Sequence, residues 1–393
     1  DLNWENEKMR QDLYKMVKWW LELGIDGFRV DAVAHLDRDL TFTDSTLESD
    51  ELYKPDWSKF SNLPKVHEYL NELNQEVFSK YDIFTVGEVG GGADVEDALL
   101  YAAKESNELD MVFTFDHCWL NDGFNSLSET WTNQVNLVEL KKVFKKWQSG
   151  LYGKAWNPLY WLNHDHPRVM SQYGNATHYH KESGKMLATS LFMMWGTPFI
   201  YNGEEIGMTN ANYDNLEDYR DVSVLESIDR LLAAGHPKEL VKRHIAATAR
   251  DNARTPMQWS SEENAGFSTA TPWIKVNQNY QTINVQDQIN DEDSILQHYR
   301  KVIELRRFSE YKDVIVYGDY TQLNEEHPSV YAYLRTYEGK KLLIVSNFFA
   351  QSSIICLKDL TAKHIVLSNY ENSSMDLACL TLRPFESIVY EVE

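Results

Sequence analysis

The sequence has 393 residues, 43% hydrophobic and 25% charged, and a formal net charge of −22. That length supports a large α/β domain plus an accessory domain, and that charge repels phosphate backbones and anionic lipid, so neither nucleic acid nor a membrane is an expected partner. Three widely spaced cysteines (Cys118, Cys356, Cys379) fit neither a disulfide framework nor a structural zinc site and point to a reducing, cytoplasmic setting, and no apolar run approaches the roughly 18 residues that span a bilayer.

A helix-then-strand rhythm occupies the first half. Met9, Leu13, Met16, Val17, Trp20 and Leu23 recur at helical spacing, Gly24 stops that helix, and a strand from Ile25 to Val30 ends on Asp31. Val66, Leu70, Leu73 and Val77 outline a second helix before the strand Ile83 to Val86, which ends at Gly87-Glu88. A third pair sets Ala98, Leu99 and Ala102 before the strand Met111 to Phe115, with Asp116 just past its end. A fourth sets Leu137, Leu140, Phe144 and Trp147 before Leu159 to Leu162, which runs into Asn163-His164-Asp165. A fifth helix, around Lys185 to Trp195, precedes Pro198 to Tyr201. Five such units predict a parallel sheet with helical crossovers. In a (β/α)₈ barrel the active site forms at the C-terminal ends of the strands, where these acidic residues fall. A doubly wound open sheet is the competing architecture, but no Gly-rich phosphate loop follows any strand.

From Asn202 to about Asp291 the rhythm breaks into a stretch rich in Asn, Asp, Tyr and Trp, read as a subdomain inserted over the barrel mouth. Ser294 to Arg307 restores a helix. Beyond it, Val314–Tyr317, Val330–Leu334, Leu342–Val345, Ile365–Leu367 and Ser387–Tyr390 are short β-rich runs between turn residues, the pattern of a small antiparallel β-sandwich.

Three strand ends carry the chemistry. An Arg and an Asp at the end of an enclosed strand are costly unless paired. Alternation puts Arg29 and Asp31 on one side of the strand, so the guanidinium can hold the carboxylate ionised and oriented, as a nucleophile requires; a structural ion pair is the plainer alternative. Glu88 follows four apolar or β-branched residues and precedes Gly90-Gly91-Gly92, a setting that raises a carboxyl pKa and suits a general acid; an N-cap-like carboxylate is the alternative. Asn163-His164-Asp165 adds a third carboxylate beside an imidazole able to donate to sugar hydroxyls, against the alternative of a histidine satisfied in the core. Metal binding by His164, Asp165 and His166 is disfavoured, because adjacent strand residues point to opposite faces. Two carboxylates and a stabiliser at a barrel mouth fit glycoside hydrolysis, and no nucleophile elbow supports Ser–His–Asp catalysis. Aromatic residues make up 13% of the chain, with 12 Trp and 22 Tyr. Such rings suit pyranose stacking, although ordinary core packing explains most of them.

Together these motifs resemble those of the α-amylase superfamily of glycoside hydrolases. Gly27-Phe28-Arg29-Val30-Asp31-Ala32 resembles the family's fourth-strand motif, Thr85-Val86-Gly87-Glu88 the fifth and Asn163-His164-Asp165 the seventh. The resemblance implies Asp31 as nucleophile, Glu88 as acid/base and Asp165 as transition-state stabiliser, with Arg29 and His164 in support. Gly196 to Met208 is similar to the eighth-strand region of oligo-1,6-glucosidases, dextran glucosidases and bacterial α-1,4-glucosidases. Arg250-Asp251-Asn252-Ala253-Arg254-Thr255-Pro256-Met257-Gln258-Trp259 matches the same group, which implies substrate contacts through Glu205 and Arg254. The implied organisation is a catalytic barrel over 1–201, from the helix before strand 4 through strand 8. An inserted subdomain follows over 202–290, the last barrel helix over 291–312 and a β-sandwich over 313–393.

The resemblance places three further βα units, a small domain B and any calcium site upstream of this sequence. The N-terminal remainder of the barrel is therefore an expected partner, alongside a neutral oligosaccharide substrate. No cofactor and no metal are expected within the chain itself. The Val89-Gly90-Gly91-Gly92 stretch departs from the pattern on the aglycone side. The implied reaction is double displacement with retention: glucose leaves the non-reducing end of short α-glucosides, and Ala32 beside the nucleophile implies α-1,4 over α-1,6 linkage. Alternatives are an oligo-1,6-glucosidase or dextran glucosidase, a trehalose-6-phosphate hydrolase, and a non-catalytic glucosidase-like interaction domain.

Overall fold

The computed structural model describes residues 2–48, 54–90 and 92–393. The chain forms two compact units, the first Asp1–Asp116 with Lys146–Pro158, the second His117–Lys145 with Leu159–Glu393. These cuts differ from the boundaries expected from the sequence pattern.

In the first unit, helix α1 (Glu7–Glu22) starts at Asn6, whose side chain accepts the Met9 N–H, and stops at Gly24, where φ is 94°. Its apolar residues divide. Tyr14, Val17 and Leu21 are buried, whereas Met16, Trp19, Trp20 and Leu23 are exposed. Strand β1 (Gly27–Val30), helix α2 (Lys65–Glu76), strand β2 (Phe84–Glu88), helix α3 (Val95–Ala102) and strand β3 (Met111–Phe113) follow. The three strands form one parallel sheet in the order β1-β2-β3, with Gly27 opposite Phe84 and Val30 opposite Gly87. Only glycine fits at Gly27: an added Cβ would lie 1.8 Å from the Phe84 carbonyl oxygen. Val66, Leu70, Leu73, Ala98 and Tyr101 of the helices and Val86, Met111 and Val112 of the sheet are buried. Asp116 is held by Lys146 at 2.6 Å and by the Trp147 indole N–H at 3.2 Å, which accounts for its place at the strand end structurally.

Helix α4 (Leu137–Leu151) contains one of the cuts, so its first part, with Leu137, Leu140 and Phe144, packs into the core of the second unit. In that unit Leu159, from β4 (Pro158–Leu159), accepts a hydrogen bond from Phe199 N–H. Next come α5 (Val169–Gln172), α6 (His180–Phe192), β5 (Thr197–Pro198), α7 (Val222–Ala233), α8 (Lys238–Thr248), α9 (Asp251–Arg254), α10 (Val285–Gln288) and α11 (Ile295–Phe308). Helix α6 starts and ends earlier than its expected span of Lys185 to Trp195, and the strand expected over Leu159 to Leu162 is confined to its first residue. Ten consecutive residues of α6, Ser183 to Phe192, are buried, and Lys185 there pairs with Asp293 at 2.5 Å.

The expected strand Val314–Tyr317 is instead the end of helix α12 (Lys312–Tyr317). Its β-branched residues favour a strand in isolation, but Val314 and Ile315 bury in the same apolar cluster as Tyr299 and Val302 of α11, and that packing overrides propensity. The C-terminal part has five antiparallel strands, β6 (Asp319–Leu323), β7 (Val330–Tyr337), β8 (Lys340–Asn347), β10 (Ala362–Ser368) and β12 (Ser387–Val392), in the order β10-β12-β8-β7-β6. A smaller sheet pairs β9 (Ser353–Ile355) with β11 (Leu380–Leu382). One face of the larger sheet, with Tyr331, Tyr333, Leu342 and Ile344, joins the helical core. The other, with Val330, Ala332, Leu343 and Val345, packs with Ile355, Leu380 and Leu382 of the smaller sheet.

Candidate active site

The structure groups most of the expected site residues in two places, one in each unit, and leaves Glu205 outside both. In the first, Asp31 directly follows β1 and Glu88 is the last residue of β2. The ladder runs Val30 to Gly87, so continuing it one step puts Asp31 level with Glu88 on neighbouring strands, which lie about 4.8 Å apart in any sheet. The Arg29 guanidinium contacts both carboxylates, Nη1 at Asp31 and Nη2 at Glu88. The expected Arg29–Asp31 pair is therefore present, and Glu88 shares it. Asp31 is the more open, its side chain 76% exposed against 20% for Glu88. Ala32 begins a short 3-10 turn with φ 44° and ψ 38°, a left-handed conformation uncommon for alanine. Gly91, within the run after Glu88, lies outside the described residues.

In the second unit Asp165 is enclosed by arginines. Its Oδ1 accepts from Arg254 Nη2 at 2.6 Å and from Arg250 Nη1 at 3.2 Å. The His164 ring lies 3.4 Å from the other oxygen, and the His164 carbonyl accepts from Arg254 Nε at 2.9 Å. Behind them, the Asn163 side-chain oxygen accepts Asp165 N–H at 2.8 Å and faces His166 Nδ1 at 2.7 Å. Burial holds the His166 pKa down at about 4, so its ring is neutral near pH 7.

The arginines have a second carboxylate in common, and sequence reasoning missed it. Asp221 accepts from Arg254 Nη1 at 2.7 Å and from Arg250 Nη2 at 3.0 Å while capping α7 through Ser223 N–H. Burial alone would raise its pKa; the Ser223 and Arg250 hydrogen bonds outweigh that and bring it to about 2. Arg168, fully buried, supports the arrangement from beneath. It donates to the carbonyls of Asn252 at 3.0 Å and Ala253 at 3.2 Å, just before Arg254, and to Asn202 at 2.5 Å. Only one signal for these residues existed in the sequence: Arg250 precedes Arg254 by four positions. Asp221 sits in an ordinary Asp-x-Ser helix start, and nothing local marks it as a partner of residues about thirty positions away.

Glu205 accepts Gly203 N–H at 2.8 Å, and burial raises its pKa. The structure does not join it to the Asp165 ion pairs. Its neighbour Glu204 is fully buried, accepts from the Tyr299 hydroxyl at 2.7 Å and has its pKa pushed up to about 8, first by burial. Among the described residues no group of three or more His, Cys, Asp or Glu could hold a metal ion.

Two carboxylates at the ends of neighbouring parallel strands, bridged by one arginine, fit a carbohydrate-active hydrolase. The alpha-amylase catalytic-domain family matches residues 1–318, and the alpha-amylase SusG C-terminal domain matches residues 330–389. The chain belongs to the α-amylase family of glycoside hydrolases. It is similar to an oligo-1,6-glucosidase of Bacillus cereus, 44% identical over all of this chain and 70% of that protein. It is also similar to a trehalose-6-phosphate hydrolase of Bacillus subtilis strain 168, 39% identical over 100% of this chain and 69% of the relative. The solved structure of Bacillus licheniformis trehalose-6-phosphate hydrolase matches with a TM-score of 0.91 and 42% identity, over 100% of this chain and 70% of that one.

Proposed function

We propose that this chain carries the catalytic carboxylates of a retaining α-glucosidase that releases glucose from the non-reducing end of short, neutral α-glucosides. The observation that carries the reading is the Arg29 guanidinium in contact with both Asp31 and Glu88. Retaining glycosidases need their two carboxyl groups about 5–5.5 Å apart, and a shared guanidinium on adjacent strands supports that spacing. Asp31, the more exposed, is the nucleophile. Glu88 protonates the glycosidic oxygen, then as a carboxylate activates the water that resolves the glucosyl intermediate. Asp165 stabilises the positive charge developing on the sugar, and His164, Arg254 and Glu205 bind hydroxyls. Mixing the enzyme with a short malto-oligosaccharide and following the product by NMR tests the reading: α-glucose must appear first, and β-glucose as the first product refutes it.

Linkage rests on Ala32. A small side chain next to the nucleophile leaves room for an α-1,4-linked aglycone, so maltotriose is the preferred substrate over isomaltotriose. The α-1,6 reading is favoured by the name of the Bacillus cereus relative, an oligo-1,6-glucosidase. Further βα units of the same barrel are proposed to cover the exposed α1 residues Met16, Trp19, Trp20 and Leu23, and any calcium site would belong with them. Three free thiols support a cytoplasmic location; among the described residues no helix is long and apolar enough to cross a membrane.

A further inference from the structure

Cys356 and Cys379 are far apart in the chain but adjacent across the small C-terminal sheet. Its ladder runs Leu382 with Ser353, Thr381 with Ile354 and Leu380 with Ile355. One step further, Leu357 N–H donates to the Leu377 carbonyl at 2.8 Å. Between these two cross-strand contacts one strand has Cys356 alone and the other has Ala378 and Cys379, the two-against-one count of a β-bulge. Side-chain direction follows from burial. Ile355, Leu357, Leu377 and Leu380 all point into the apolar core, while both cysteines are exposed. The two thiols therefore stand on the same outer face, bracketed by paired residues. Facing positions of an antiparallel pair lie about 4.5–5.5 Å apart at Cα, within the range a disulfide spans.

We propose that Cys356 and Cys379 form a reversible dithiol–disulfide site that reacts with small disulfides such as oxidised glutathione. One cysteine thiolate attacks the glutathione disulfide, forming a mixed disulfide and releasing one glutathione thiol. The second cysteine thiolate then attacks the protein sulfur of that mixed disulfide, closing the Cys356–Cys379 bond and releasing the second glutathione. The two protein thiols lose two electrons and two protons, and one glutathione disulfide becomes two thiols. The bond staples β9 to the start of β11 over the apolar core of the sheet. Buried Cys118 takes no part.

The test uses the full chain, reduced and then exposed to oxidised glutathione, with non-reducing digestion and mass spectrometry. The expected product is a single peptide pair joined through Cys356 and Cys379, in a chain lighter by two hydrogens and restored by dithiothreitol. The bond should form at least about tenfold faster in the folded chain than in urea, because folding holds the thiols together. Cys118→Ser should leave it unchanged, and Cys356→Ser should stop at one glutathione on Cys379. Stable glutathione adducts on both cysteines of one chain, or equal rates in buffer and urea, would overturn the proposal.

Discussion

The two clusters of carboxylates and guanidinium groups are built on opposite principles. In the first unit one guanidinium, Arg29, serves two carboxylates, Asp31 and Glu88, so negative charge is in excess, and Asp31 is largely open. In the second unit two guanidinium groups, Arg250 and Arg254, each touch both Asp165 and Asp221, a balanced ring of four charges. A shared cation leaves a carboxylate free to react, whereas a balanced ring fixes its members in place. On the proposed reading, bond-making falls to the first cluster and positioning to the second.

The largest expected effect breaks the first cluster. Asp31→Asn should lower turnover by at least about four decades, since no covalent intermediate can form. Glu88→Gln should separate from it by leaving group: aryl glucosides with good leaving groups should keep their first step, because they need no proton from the acid. Stopped-flow release of the aryl group measures both. Equal loss on good and poor leaving groups in Glu88→Gln would remove Glu88 from the acid role.

The second cluster should respond differently. Asp221→Asn removes one charge from the ring without touching Asp165. The expected loss is about 10–100-fold, the value of a charged hydrogen bond, read chiefly in KM if the arginines bind ground-state hydroxyls and in kcat if they position Asp165. Loss below about twofold in both would reduce Asp221 to a helix cap. The ring also has an acid limit. With the folded pKa of Asp221 near 2 against 3.8 for the unfolded group, its stabilisation is present above pH 3.8 and is lost as pH falls through about 2.

Linkage sharpens the comparison at the edge of the first cluster. If Ala32 sets it, kcat/KM for maltotriose should exceed that for isomaltotriose by about 10–200-fold. The unmodified protein is the right material for this measurement. At φ 44° a β-branched replacement such as valine would strain the backbone and confuse sterics with folding. A preference for isomaltotriose would favour the α-1,6 reading and leave the mechanism standing.

Contacts set by strand alternation were legible in the sequence. Arg29 and Asp31 share a side because strands repeat every two residues, and Glu88 stands out because a carboxylate at an apolar strand end needs a reason. Asp165 was singled out for the same cause, although the strand ends at Leu159 and the residue lies in the turn beyond it. Residues whose role comes from tertiary closure were not. Asp221 meets its arginines only after α7 and α9 are placed, and Val314–Tyr317 reads as a strand until α11 offers a face to pack on. Cys356 and Cys379 looked like scattered thiols for the same reason, because their pairing lives in a ladder register.

The smallest expected effect on turnover comes from Glu204, next to the expected hydroxyl ligand Glu205, and it tests whether the second unit also stores a buried proton. Glu204 faces Tyr299, whose hydroxyl it accepts, along with Tyr201 N–H, Glu205 and the Arg168 guanidinium. Burial outweighs the donors and the cation, and Glu205 adds repulsion, so the folded pKa is about 8 against 4.5 for the unfolded group. A carboxyl raised in this way is neutral in the fold at pH 7. The unfolded chain releases that proton near pH 4.5, so the stability tied to it is complete below pH 4.5, declines as pH rises and is gone once pH passes about 8. Glu204→Gln keeps the shape and the neutral acceptor but has no proton to lose. Titrating groups not coupled to Glu204 contribute equally to both proteins, so the difference between their urea midpoints reports Glu204 together with its coupling to Glu205. The variant should gain on the parent between pH 5 and pH 8, by on the order of a few kcal/mol, while kcat at pH 6 changes little. Parallel stability curves across that range would mean that Glu204 is ionised in the fold, with Arg168 as its counter-ion.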